Sequence, residues 1–116
     1  MNERRGRSLF LIDPLNIEEG APRTLDFVTN TLALMNISAK HRHFPCNVSL
    51  DTSYTNYEFF VSFGNKTPTE YKYDAYYQSN KAAIMPPDDS EYNKLTVLIK
   101  SYKSKKVTVT VSFACK

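Results

Sequence analysis

Glycine is nearly absent from this chain. Three glycines in 116 residues leave no glycine-rich loop to cradle a phosphate and no collagen-like repeat. Tryptophan is missing altogether. No apolar run approaches the ~20 residues of a membrane-spanning helix. The run Leu9 to Ile12, behind a basic start, is also shorter than the ~7–15-residue apolar region of a secretory signal. There are two cysteines, Cys46 and Cys115, the fewest that can form an internal bridge. No acidic residue follows Glu91, yet Lys94, Lys100, Lys103, Lys105, Lys106 and Lys116 do.

What remains is ordinary for one small globular domain. Hydrophobic content is 41% and charged content 23%, too apolar for a fully disordered chain and too short for a second core. Aromatics reach 13%, as eight tyrosines and seven phenylalanines, a composition that fits a pleated surface. Net charge is +3, too weak by itself to name a polyanionic partner. The positive charge is clustered, at Arg4, Arg5 and Arg7, at Lys40 and Arg42, and in the C-terminal lysines. Lysines of this kind commonly protect edge strands and turns.

The organisation expected from the pattern is a basic tail over 1–8 and a single α+β domain over 9–116. Leu9–Ile12 reads as an edge strand or docking peptide, and 13–23, with two prolines and a glycine, as a loop. Leu25, Val28, Leu32, Met35 and Ala39 recur at spacings of three and four, which predicts one helix over about 23–38. Thr29, Asn30, Thr31 and Asn36 are poor helix formers, so tertiary packing must hold it. Beyond His43 the period falls to two. Strands are expected over 44–51, 57–63, 70–77, 95–102 and 107–115, with a basic hairpin at 101–106 and a long loop at 78–94. One helix packed on an antiparallel sheet of about five strands follows. A β-sandwich or barrel with one helix is the alternative, because a Cys46–Cys115 disulfide would require the first and last clear strands to meet.

Three features favour an extracellular, lumenal or virion-surface setting over the cytoplasm or nucleus. Cys46 and Cys115 share phase with expected core positions. Asn36, Asn47 and Asn65 each open a glycosylation sequon. Arg4-Arg5-Gly6-Arg7 has the spacing that secretory processing proteases read.

Candidate chemistry is thin. His41 and His43, with Cys46 three residues on, supply too few convergent ligands for zinc. Asp88-Asp89-Ser90-Glu91 lacks the spacing of an EF-hand loop. No catalytic residue, metal site or cofactor is expected. The tyrosines offer more, because tyrosine gives large contact area at low entropic cost. The expectation is a non-enzymatic domain that binds another protein through a Tyr-rich strand and the neighbouring loop. Tyr76, Ile84 and Met85 would form the patch, with Lys103 and Lys105 at its rim. The alternative is a nucleic-acid-binding protein using the arginine tail and the lysine-rich hairpin.

Overall fold

The computed structural model describes residues 14–88 and 92–114. The basic tail, the Leu9–Ile12 run and Cys115 therefore lie outside the described residues. Nine strands are described: β1 Leu15–Ile17, β2 Arg23–Phe27, β3 Thr31–Ser38, β4 His43–Leu50, β5 Tyr57–Phe63, β6 Ala75–Gln78, β7 Lys81–Ile84, β8 Lys94–Ser101 and β9 Lys105–Ala114. They form two sheets, one in the order β1-β3-β8-β5-β6 and the other in the order β2-β9-β4-β7. Every pairing is antiparallel except β1 with β3.

From β2 onward each successive strand changes sheet, except for the step from β5 to β6. That alternation, with these two strand orders, is the connectivity of an eight-stranded jelly roll; β1 is an extra edge strand. One end of the sandwich gathers the connections 28–30, 51–56, 79–80 and 102–104. Thr29 N–H donates to Ser104 Oγ at 3.1 Å, the Lys103 ammonium lies 4.8 Å from the Tyr54 ring centre, and Leu50 N–H donates to the Asn80 carbonyl at 2.8 Å. The opposite end gathers 39–42, 64–74 and the flanks of the β7–β8 connection, tied by Ala39 N–H to Asn93 C=O at 2.8 Å and Gly64 N–H to Lys94 C=O at 2.9 Å.

The core lies between the sheets and follows the period-two alternation. Met35, Ile37, Tyr57, Phe59, Val61, Phe63, Leu95, Val97 and Ile99 face it from the first sheet. Leu25, Phe27, Cys46, Val48, Val107, Val109, Val111 and Ile84 face it from the second.

The expected helix over 23–38 is not what forms, so the fold is all-β and not α+β. The chain makes β2, a turn at 28–30, and β3 instead. Asn30 takes a left-handed conformation, φ 62°, which asparagine tolerates and a helix cannot use. Val28, counted in the helical stripe, is 61% exposed. Leu25 with Phe27, and Ala33 with Met35, Ile37 and Ala39, are buried at alternate positions. Two further boundaries move. Only the second half of 70–77 is strand, as β6, and the expected loop 78–94 contains β7.

Candidate functional site

The outer side of the five-stranded sheet is not the polar face that a two-layer sandwich ordinarily presents. Register places Leu34, Leu98, Phe60 and Tyr76 side by side across β3, β8, β5 and β6. Leu98 is fully buried there, and Phe60 and Leu32 nearly so. The segment 64–74, between β5 and β6, returns over this face. Tyr73 packs on Phe60 with ring centres 5.4 Å apart. Glu70 accepts a charge-assisted hydrogen bond from Lys100 Nζ of β8 at 2.8 Å. Asp74 fastens the base of the segment, accepting from Phe63 N–H at 2.9 Å and pairing with Lys66 at 2.7 Å.

The result is an aromatic platform with a charged support. Tyr71 is 92% exposed, Tyr73 43% and Tyr76 39%. Tyr73 and Tyr76 lie 5.9 Å apart, their ring planes inclined by 36°, and Tyr76 also packs on Phe60 at 5.2 Å. Beneath them Glu58 of β5 accepts from the hydroxyls of both Tyr76 and Tyr102. Burial pushes the Glu58 carboxyl up, but those two hydrogen bonds and the charge of Lys100 outweigh it, so the carboxyl sits below its ordinary range. The same hydrogen bond, aided by burial, pushes the Tyr76 phenol up to about 12. Tyr102 is raised for the same reasons, and Lys100 is raised chiefly by its bond to Glu70. Tyr76 is thus held by Glu58 and by Phe60, and Tyr73 by Phe60, while both stay partly exposed to solvent.

The residues expected to form the patch do not all come together. Tyr76 is on the platform. Ile84 is fully buried on β7, opposite Cys46 of β4; its side chain belongs to the core and is excluded from any contact surface. Met85 is 51% exposed, but it follows β7, the edge strand of the other sheet. Lys103 sits in the β8–β9 turn over Tyr54, and Lys105 opens β9 opposite Phe27. Both are exposed at the end of the sandwich where that turn lies.

Cys46 is a buried free thiol among the described residues; burial pushes it up to about 12, with the charge of Glu19 adding to the shift. Its β4 strand pairs directly with β9, Cys46 opposite Phe113, while the expected partner Cys115 lies outside the described residues. Asn47 is exposed on the outer side of the four-stranded sheet, Asn65 is exposed after Gly64, and Asn36 is half-buried and accepts from Thr96 at 3.3 Å. Among the described residues no three metal-ligating side chains converge.

Sequence reasoning missed Glu58, Phe60, Glu70, Lys100 and Tyr102 as parts of one site. A signal existed: Phe60 and Leu98 are large apolar residues on the polar phase of their strands, which implies a cover on the outer face. No similarity assists the reading, since comparison with family models, curated proteins and solved structures finds no match to this chain.

Proposed function

We propose that this chain is a non-catalytic protein-binding domain whose contact face is the outer side of the five-stranded sheet, centred on Tyr71, Tyr73 and Tyr76. The observation that carries the reading is the exposure of Tyr71, Tyr73 and Tyr76 within six residues of chain, the last two adjacent and braced against Phe60. Tyrosines held in place before binding lose little entropy on contact and dominate protein interfaces. Glu70, Lys72 and Gln78 supply a polar rim. An extracellular, lumenal or virion-surface setting remains part of the proposal, supported by the exposed sequon residues Asn47 and Asn65.

A photo-crosslinking amino acid placed at 71, and separately at 47 on the opposite sheet, tests the face. The expected result is a single crosslinked protein from position 71 and none from 47, lost in Tyr73→Ala and Tyr76→Ala. Binding of that partner should survive a rise from about 50 to 200 mM salt, whereas phosphate-backbone binding would weaken steeply. Equal crosslinking from both positions, or a nucleic acid as the only captured species, overturns the proposal.

A further inference from the structure

At the end of the sandwich away from the Lys103 turn, four consecutive cationic or titratable residues, Lys40, His41, Arg42 and His43, line one side of a cleft of about 450 Å³. Phe44, Tyr92 and Asn93 complete its wall. We propose that this cleft binds a phosphate or sulfate ester, the oxyanion held by the Lys40–His43 turn and its organic body resting against Phe44 and Tyr92.

The local backbone is shaped to this end. His41 has φ 61°, a left-handed conformation that costs free energy in a non-glycine residue and recurs where a turn must aim its side chains. A glycine would meet the turn's conformational need at lower cost. The hydrogen bond from Arg42 N–H to the Ala39 carbonyl, 3.1 Å, closes the turn and leaves all four side chains exposed.

Among the described residues, positive charge around the cleft exceeds negative. Arg42 Nε is paired with Glu19 at 3.2 Å, and the second carboxylate oxygen of Glu19 accepts from Phe113 N–H at 3.0 Å. Glu19 thereby holds the Nε edge of the guanidinium and leaves its terminal nitrogens for a further acceptor. Lys40, His41 and His43 have no ion-pair partner among the described residues. Among the described residues, Asp88 accepts from the Tyr92 hydroxyl at 3.3 Å. An arginine fork beside a lysine point charge suits a tetrahedral oxyanion. The volume exceeds the needs of a bare anion and lies in the range of small-molecule sites. The aromatic wall gives the excess a use: Phe44 is itself braced edge-on by Phe63 and Phe113, at 6.0 and 5.8 Å, and Tyr92 packs on Phe63 at 5.0 Å.

The test is a titration of the 15N-labelled protein with sodium phosphate, phenyl phosphate and phenyl sulfate, each against sodium chloride at matched ionic strength. Saturable amide shifts confined to 39–44 and 92–93 are expected, with phenyl phosphate or phenyl sulfate bound more tightly than inorganic phosphate; the tighter of the two names the class of ester. Lys40→Gln, at an exposed position, should weaken binding by about threefold, and Lys40→Gln with Arg42→Gln by about tenfold or more. His43→Gln, which disturbs neither Glu19 nor the turn, provides a separate loss of affinity should the double variant fold poorly. Identical shifts with chloride, shifts that fail to saturate, an aromatic ester bound no better than phosphate, or variants that bind as wild type would overturn the proposal.

Discussion

Tyr57 illustrates how a single side chain can be both a core anchor and a liability. Its ring packs at 5.9 Å from Phe27 and 5.6 Å from Tyr54, and it is fully buried. Its hydroxyl is buried without a well-formed hydrogen bond; burial raises the phenol above its ordinary range against a lowering contribution from the neighbouring Ser101 hydroxyl, which itself donates to the Lys103 carbonyl at 2.6 Å. An unsatisfied buried hydroxyl costs about 1–3 kcal/mol. Tyr57→Phe keeps the ring and removes that cost, so the urea midpoint should rise or stay level. Phe59→Ala, in the same strand and equally buried, should cost about 3–5 kcal/mol. A Tyr57→Phe variant destabilised by more than about 1 kcal/mol would show that the hydroxyl is satisfied after all. Asn30 is the opposite case, a residue chosen for backbone and not for packing. With φ 62°, Asn30→Gly should be nearly neutral and Asn30→Val should destabilise by about 1–3 kcal/mol, read from thermal melts.

At the scale of elements, the segment 64–74 explains both what the sequence revealed and what it hid. Where one sheet face is wet, alternation is clean, and 107–113 of β9 shows it: Val107, Val109, Val111 and Phe113 are buried while Lys106, Thr110 and Ser112 are exposed. Its phase could be read directly. Strands β3, β5 and β8 have apolar residues on both faces, the outer ones gathered in a small cluster of Leu32, Leu34, Phe60 and Leu98 on which 64–74 lays Tyr73, so their alternation is blurred. In β3 the outward Leu32 and the inward Met35 fell three residues apart and imitated a helical stripe, and the poor helix formers Thr29, Asn30 and Thr31 were the contrary signal. β7 escaped notice because four residues, two of them alanine, carry little pattern. The site was legible only as composition. The tyrosines were visible, but Tyr76, Glu58 and Tyr102 are 18 and 44 residues apart in sequence and meet only through the β6-β5-β8 strand order. If the segment truly seals a second small core, Leu98→Ala should cost about 2–5 kcal/mol although Leu98 points away from the main core. Leu34→Ala, in the same row but half-buried, should cost less than half as much. Equal and small losses in urea unfolding at both positions would show that the face is open.

For the whole molecule, the carboxylates that fasten this cover set the response to acid. Asp74 feels the upward push of burial, but hydrogen bonds from Lys66 and Phe63 N–H prevail and hold it below its ordinary range. Glu58 is held low by Tyr102, Tyr76 and Lys100 against the same push. A carboxyl with a lower pKa folded than unfolded binds fewer protons in the native state, so stability rises with pH while it titrates. The contribution is complete above the unfolded value, about 4 for either residue type, and is lost as pH falls through the depressed folded value. Glu58 joins β5 to β6 and to the start of the β8–β9 turn, while Asp74 joins 64–74 to the end of β5, so protonation loosens one sheet from two sides. The urea midpoint should therefore be flat from about pH 7 to 5 as far as these two groups are concerned, and should begin to fall below about pH 4. Asp74→Asn and Glu58→Gln should each lower stability at pH 7 and flatten that fall, so that variants and wild type converge once both carboxyls are protonated in the folded state. Because the two carboxyls lie on separate bonds to β5, the double variant should show nearly the sum of the two changes in slope. A wild-type acid limb that keeps its full slope in the double variant would place the acid-sensitive groups elsewhere, and 64–74 would then be held by the packing of Tyr73 on Phe60 in preference to its charges.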